Sequence, residues 1–262
     1  MKVRQLAVVG AAATVMMGLA GCDPKSSSAD HPAAAGGGPA ATTATTAAAN
    51  PRDEFAAAAA KVGDQPVKLK MTTVGGGAIT GAIDAQNHKA EMTTAMGSAG
   101  SMEIREDGTD LYVKASGALA SAIGGPSGKW MHIDMSKVPS KSALNMANND
   151  PKATAKVLAD SSDVTKTGAH SFSGKVDMTK SPAFNSTAAA GLGSAFKAVP
   201  FTAETDDQGR IVKLVFDLGS VVPSAGKMTT EYSDFGTSVD VQKPPASQVI
   251  EMPAKFRKLM GA

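Results

Sequence analysis

Two serine–lysine pairs have the spacing of a nucleophilic serine with a lysine base. Ser194 precedes Lys197 by three positions and Ser224 precedes Lys227 in the same way, while residues 166–168 form the Lys-Thr-Gly triplet that accompanies such serines in β-lactamases. In those enzymes the serine motif comes first and a Ser-Asp-Asn motif lies between the two. Here both serine motifs follow the triplet and no Ser-Asp-Asn is present. We interpret the matches as chance and predict that the protein is not an enzyme.

The sequence has four scattered histidines: His31, His88, His132 and His170. None is spaced from a second histidine or a glutamate as in a zinc protease, and no Gly-x-Ser-x-Gly elbow is present. Residues 191–193 lack the third glycine and the preceding strand of a dinucleotide-binding loop. We therefore expect no metal and no cofactor. His132 falls with Trp130 and Asp134 on the polar face of a predicted strand, where we expect it to be solvated.

The single cysteine, Cys22, ends a segment with the layout of a secretory signal. Lys2 and Arg4 give it a positive start, and the apolar run from Leu6 to Met17 is shorter than the roughly 20 residues of a spanning helix. Residues 19–22 (Leu-Ala-Gly-Cys) resemble the bacterial lipoprotein cleavage box.

That resemblance implies cleavage before Cys22, a diacylglycerol on its thiol and an amine that can be acylated. Such a protein would be anchored at the extracytoplasmic face of the cell membrane. The alternative is an ordinary secretory signal followed by a chance cysteine.

Charge and composition favour neither a nucleic-acid partner nor thiol chemistry. Without Lys2 and Arg4 the chain carries 24 basic and 24 acidic side chains, so no basic surface is predicted. With Cys22 lipidated, no thiol remains for a disulfide, a zinc site or a nucleophile. Aromatic residues make up only 4% of the chain, which has 14 methionines. Methionine adapts to irregular apolar shapes, which suits either an ordinary core or a cavity for acyl chains.

The composition changes sharply at residue 50. Residues 23–49 consist largely of Ala, Gly, Ser, Thr and Pro, which predicts a flexible tether with a span of about 30 Å. We therefore divide the chain into a signal peptide (1–21), a lipidated cysteine with its tether (22–49) and a single domain (50–262).

Three helices are predicted to start where a capping residue precedes a proline, at Asn50-Pro51, Asp150-Pro151 and Ser181-Pro182. The first is expected to end at Gly63. The predicted helical segments are 51–62, 117–123, 141–147, 151–159 and 182–198.

The remaining segments alternate apolar and polar residues and are separated by short Asp/Gly turns, which is typical of antiparallel strands. They include a strand at 164–178, a hairpin of 201–205 with 211–218, and two last strands at 227–235 and 238–242. Residues 249–260 are read as a partly helical tail. Four residues of the second hairpin strand are expected to share one face: Val212, Leu214, Phe216 and Leu218. The pattern predicts an α+β fold in which one long, curved antiparallel sheet packs against a few helices.

Several segments match a known family in order and spacing, from about Val62 to Val249. Besides the cysteine box and tether, they are 110–113 (DLYV), 128–130 (GKW), 150–151 (DP), 168–177 (GAHSFSGKVD), 207–212 (DQGRIV), 232–239 (YSDFGTSV) and 244–245 (PP). In these segments the chain resembles actinobacterial envelope lipoproteins of the LprG/LppX type and, more distantly, the LolA-like fold of lipoprotein carriers.

The resemblance implies a half-barrel of antiparallel strands with helices on its concave face, around an apolar cavity for lipid or glycolipid acyl chains. The implied partners are that ligand, the membrane and, as a candidate, a membrane exporter. We place the cavity at inward strand positions and at the predicted helix 182–198. The residues are Ile83, Met102, Ile104, Leu111, Val113, Ile133, Phe184, Leu192, Phe196, Leu214 and Phe216. The alternative is a non-catalytic envelope sensor or interaction module with the same fold and a filled core.

Overall fold

One twelve-stranded sheet is the frame of the described part of the chain. The computed structural model describes residues 50–72, 76–123, 125–138, 151–181 and 193–259, all within one compact unit, Ala47–Ala262. The strand order is β12-β6-β5-β4-β3-β2-β1-β11-β10-β9-β8-β7. Every neighbouring pair is antiparallel except β12 with β6, which is parallel. The predicted α+β class, with a curved and mostly antiparallel sheet, is confirmed.

Burial alternates clearly along β1 and β9, as the period of two requires, and less regularly along strands such as β4 and β5. Their bounds are β1 Val67–Thr72, β2 Ala78–Asp84, β3 Lys89–Ala95, β4 Ser101–Asp107, β5 Asp110–Ala115, β6 Trp130–Asp134, β7 Ser162–Gly168, β8 Ser171–Val176, β9 Val199–Thr205, β10 Ile211–Asp217, β11 Lys227–Ser233 and β12 Val249–Glu251. The described α-helices are α1 Pro51–Ala60, α2 Gly117–Ile123, α3 Pro151–Ala159 and α4 Ala254–Leu259.

Helix α1 begins where the sequence predicts. The Asn50 side chain accepts a hydrogen bond from the Arg52 backbone N–H at 3.0 Å, and Pro51 occupies the first helical position. Phe55 is almost fully buried, and its ring lies 4.9 Å from that of Phe201 and 5.7 Å from that of Phe172. This aromatic contact fixes α1 on one face of the sheet, which we call the inner face.

The inner face carries two separate clusters of buried side chains. The first cluster joins α1 and α3 to β8–β10: Phe55, Ala58, Ala59, Leu158, Phe172, Val176, Val199, Phe201, Ala203, Ile211, Leu214, Phe216 and Leu218. The second joins α2 and α4 to β5 and β6: Leu111, Val113, Ala115, Ala120, Ile123, Met131, Ile133, Val138, Met252 and Phe256. Because residues of both clusters share cross-strand rows, all four helices pack on the same side of the sheet.

Two strand predictions need correction. Residues 164–178 are not one strand but the hairpin of β7 and β8, and Met178 begins a 3₁₀ turn, Met178–Lys180. In β10 the register shifts between Ile211 and Lys213. Because such a bulge adds one residue, Ile211 is buried with Leu214 and Phe216, whereas Val212 is only half-buried.

The last predicted strand, 238–242, is also wrong. Residues 234–248, which we call the strap, have no strand pairing; they connect β11 to β12, which lies beyond β6 at the sheet edge. The Gln242 carbonyl oxygen accepts from Arg105 Nη1 at 2.6 Å, and the Ser247 carbonyl oxygen accepts from Lys129 Nζ at 3.1 Å. Arg105 follows the inward-facing Ile104, so the strap crosses the outer face of the sheet.

Several predictions fall outside the described residues. These are the signal peptide, Cys22, the tether, the predicted helix at 141–147 and residues 182–192, which include Phe184 and Leu192. At the end of the predicted helix 182–198, Ala195–Ala198 form a 3₁₀ helix instead of an α-helix.

Candidate functional site

The inner face of β1, β2 and β3 lies between the two buried clusters and is less covered than either. Five of its larger apolar side chains are half-buried: Leu69, Met71, Ile79, Ile83 and Met92. We call these five residues the central face. One cross-strand row runs from Tyr232 through Leu69, Gly81 and Met92 to Ile104. The apolar surface of the sheet is therefore continuous from one cluster to the other.

A cavity of about 210 Å³ lies on the central face. The five central-face residues line it, together with Val67 of β1, Tyr232 of β11, Phe235 just after β11, Val62 after α1 and Ile211 of β10. Small-ligand sites are typically about 300–1,000 Å³ and mostly apolar, with a few polar groups that orient the ligand. This cavity has the apolar character of such a site at a smaller volume.

At Gly81, in the middle of the central face, β2 and β3 approach each other closely. A Cβ on Gly81 would lie 2.2 Å from the Glu91 carbonyl oxygen and 3.0 Å from Met92 Cγ. Contacts this close are not tolerated, so β2 and β3 approach each other here only because residue 81 has no side chain.

Four polar side chains line the same cavity: Lys61, Gln65, Thr154 and Arg210. Asp206 Oδ2 accepts from Arg210 Nε at 2.8 Å and lies 2.6 Å from Nη2, while the guanidinium carbon stands 4.2 Å from the centre of the Phe235 ring. Lys61 Nζ donates to the Gln208 carbonyl oxygen at 2.5 Å. Tyr232 also lines the cavity, and burial raises the pKa of its phenol to about 12.

Of the predicted cavity residues, Ile83 lines this cavity. Met102 and Ile104 pack against the second cluster, and Leu111, Val113 and Ile133 are buried within it. Leu214 and Phe216 are buried in the first cluster, and Phe196 packs against it. Ligand contact by these residues stays a prediction, as it does for Phe184 and Leu192.

Sequence reasoning did not select most of the lining, including Leu69, Met71, Ile79 and Met92. Leu69 and Met71 alternate with Lys68 and Lys70, a pattern that places the two apolar side chains on one face of a strand. What it did not reveal is the pairing of β1 with β11, more than 150 positions later in the chain, which brings Tyr232 and Phe235 to the same site.

A buried carboxyl lies on the inner face near the cavity. Glu106 is 3% exposed and occupies the cross-strand row of Ile83, Ala90 and Leu111. Burial raises the pKa of Glu106, and the nearby His88 opposes part of that shift. The row thus places a carboxyl among apolar side chains.

The outer face carries a larger groove of about 680 Å³ between the strap and strands β11, β1, β2 and β3. Its lining is rich in charged and hydroxyl side chains, including Lys68, Lys70, Glu91, Glu231 and Asp240. An acyl chain in this groove would remove hydration from charged groups without giving them partners, so we take the central face as the candidate lipid site.

His132 is not simply solvated as the sequence suggested. Its Nε2 lies 2.9 Å from Asp110 Oδ1, and its ring packs 5.0 Å from that of Tyr112. Trp130 is buried on the outer face of the sheet. Arg105 Cζ lies 4.6 Å and Lys114 Nζ lies 4.7 Å from the centre of its ring. Among the described residues, no group of three or more His, Cys, Asp or Glu side chains is arranged to hold a metal.

Comparison with known proteins gave one kind of match. No protein-family model and no curated protein matches the chain. Among solved structures, lipoprotein LppX of Mycobacterium tuberculosis matches with a TM-score of 0.42 and 13% identity, over 73% of this chain and 96% of that chain. At this identity and TM-score, the match does not show that the two proteins share a family, a ligand or an activity. No helix in the described ranges is long and apolar enough to cross a membrane.

Proposed function

We propose that the protein is a lipid-anchored envelope protein that binds lipids or glycolipids at the central face and takes part in their transfer. The observation that carries this proposal is the cavity lined by Leu69, Met71, Ile79, Ile83 and Met92. These side chains remain half-buried between two well-packed clusters, so they offer apolar surface that a ligand can cover.

The driving force is burial of apolar area. Each methylene transferred from water contributes about 0.8 kcal/mol, so a chain of modest length is held without any specific contact. Two methionines of the lining, Met71 and Met92, favour adaptation to chains of different shape.

Lipidation of Cys22 would determine where in the cell the protein acts. A diacylated Cys22 would hold the domain at the extracytoplasmic face of the cell membrane, and a tether of about 30 Å would keep it near its lipid source. A membrane exporter is the candidate partner for the transfer step.

Native mass spectrometry of the full-length chain carrying Cys22→Ala, exported through its own signal, tests ligand binding. Co-purified lipid masses, or stoichiometric uptake on titration with phospholipid, would support the proposal. Protein that stays ligand-free in both experiments would reject it.

A second candidate function is a non-catalytic sensor or interaction module with a filled core. The volume of about 210 Å³, below the usual range for ligand sites, favours this alternative. Its signature would be a protein partner recovered by cross-linking in cells together with no lipid uptake by the isolated protein.

A further inference from the structure

Building on the proposed function, we infer that the central cavity selects amphiphiles with an anionic head group, and that Lys61 contacts that group. The shared chemistry is a carboxylate or phosphate attached to an apolar chain. The chain would cover Leu69, Ile79 and Met92, with the head group at the cavity mouth.

The charge on the lining has one sign. Among the described residues that line the cavity, the only charged side chains are Lys61 and Arg210, and none is a carboxylate. A cavity with apolar walls and cations at its edge attracts amphiphiles of negative charge and repels those of positive charge.

The two cations are not equivalent. Arg210 already contacts Asp206 through Nε and Nη2, so its charge is largely compensated. Lys61 donates to a neutral carbonyl oxygen of Gln208, and within the described ranges no carboxylate lies within 4.0 Å of its Nζ. Lys61 therefore has the charge that remains available to a ligand.

Lys61 lies where a residue that contacts a head group at the cavity mouth is expected to lie. It is exposed and follows the last residue of α1, while Val62 and Gly63 beside it also line the cavity. An ammonium group on a flexible stem can follow a head group at this edge without leaving water, which avoids the cost of burying a charge.

Tyr232 supplies a neutral polar group on the sheet side. Its hydroxyl makes no hydrogen bond to another described residue. A phenol both donates and accepts, so it can bind the second oxygen of a carboxylate or an ester oxygen next to the head group.

The test compares ligands that share one chain and differ in the head group. Decanoate, decyl phosphate, decanol and decyltrimethylammonium are titrated calorimetrically into the full-length Cys22→Ala protein at low salt and below their micellar concentrations. We expect decanoate and decyl phosphate to bind at least about threefold more tightly than decanol, and the cationic amphiphile to bind more weakly than decanol.

Substitutions identify the residue responsible. Lys61→Met should lower decanoate affinity by about threefold and leave decanol binding unchanged, while Lys61→Arg should retain the preference. Lys70→Met is the matched control, because it removes the same charge from the outer face of β1. Thermal unfolding of each variant shows whether the fold is intact, since Lys61 also follows the carboxyl end of α1.

The outcomes separate this inference from the proposed function. Equal affinity for decanoate and decanol, or an unchanged preference in Lys61→Met, would overturn the inference and leave lipid binding standing. Failure of all four amphiphiles to bind would overturn both the inference and the proposed lipid-binding function. A preference for decyl phosphate over decanoate would support the inference and identify a phosphate head group, and the reverse would identify a carboxylate.

Discussion

Asp110 on β5 and Lys243 in the strap form an ion pair in which Nζ lies 3.0 Å from Oδ2, across 133 positions of sequence. The other oxygen of Asp110 lies 2.9 Å from His132 Nε2 on β6. One carboxylate thus connects two sheet strands to the segment that crosses their outer face. The strap has no strand pairing, so contacts of this kind hold it in place.

The first prediction concerns this connection. The pKa of Asp110 is lowered, first by its hydrogen bond with His132 and then by that with Lys243. Because the folded pKa lies below the unfolded one, the pair stabilises the fold above the unfolded value of about 3.9 and loses its effect as the pH falls through the folded pKa.

We expect Asp110→Asn to lower the free energy of unfolding by about 0.5–1 kcal/mol at neutral pH, as measured by urea denaturation, since the site is partly exposed. The difference from the parent should shrink at acidic pH. Asp207→Asn, at a fully exposed carboxylate, is the charge-matched control and should change stability by less. A pH-independent loss would show that charge is not the cause.

The second prediction concerns the close approach at Gly81. Gly81→Ala places a Cβ 2.2 Å from a backbone oxygen of β3, which that strand cannot relieve by a side-chain rotation. We expect a loss of about 2–3 kcal/mol in urea denaturation. Gly168→Ala in β7, where the nearest atom is Ser171 Oγ at 3.4 Å, should have a much smaller effect. Comparable losses in both variants would attribute the effect to strand glycines in general.

The fold was largely readable from the sequence because its signals are local. Asn50-Pro51 predicts the start of α1, and the alternation around Leu111 and Ile133 predicts β5 and β6, since caps and periodicity act within a few residues. The parallel strand β12 could not be read in this way. The position of β12 depends on where the 15-residue strap ends. The contacts that hold the strap, such as that of Lys243 with Asp110, join residues far apart in sequence, so no local pattern indicates them.

The site was less predictable than the fold, for a physical reason. Apolar inward positions look alike in sequence whether they lie in a packed cluster or at a cavity. Val113 and Met92 occupy the same cross-strand row, yet Val113 is buried beside α2 and Met92 is half-buried at the cavity. The difference is set by which helices cover each strand, and that is a tertiary property.

The third prediction concerns Glu106. Burial raises the pKa of Glu106 in the folded protein, so folding favours the protonated carboxyl. The contribution of Glu106 to the free energy of unfolding therefore falls as the pH rises from its pKa in the unfolded chain, about 4.3, toward its pKa in the folded protein. Glu106→Gln removes that dependence and keeps the size of the side chain.

We expect Glu106→Gln to be more stable than the parent at pH 7, by roughly 1 kcal/mol, and to lose this advantage near pH 4. Urea denaturation at the two pH values measures it. Glu231→Gln, at an exposed carboxylate on the outer face, is the control. A Glu106→Gln protein that is less stable at neutral pH would mean that the ionised carboxylate has a favourable partner.

The fourth prediction separates the two proposed functions. Ile79→Phe enlarges a side chain that points into the cavity, whereas Thr80→Phe places the same ring on the outer face of the same strand. Because a cavity of about 210 Å³ can accept the added atoms, we expect Ile79→Phe to retain the parent stability within about 1 kcal/mol and to weaken decanoate binding at least tenfold. Thr80→Phe should bind decanoate like the parent. If Ile79→Phe bound decanoate as tightly as the parent, the central cavity would not be the ligand site. If neither protein bound decanoate, a filled core with an interaction function would be the better account. A large loss of stability in Ile79→Phe alone would instead show that the space between the strands and α1 is already closed to one additional ring.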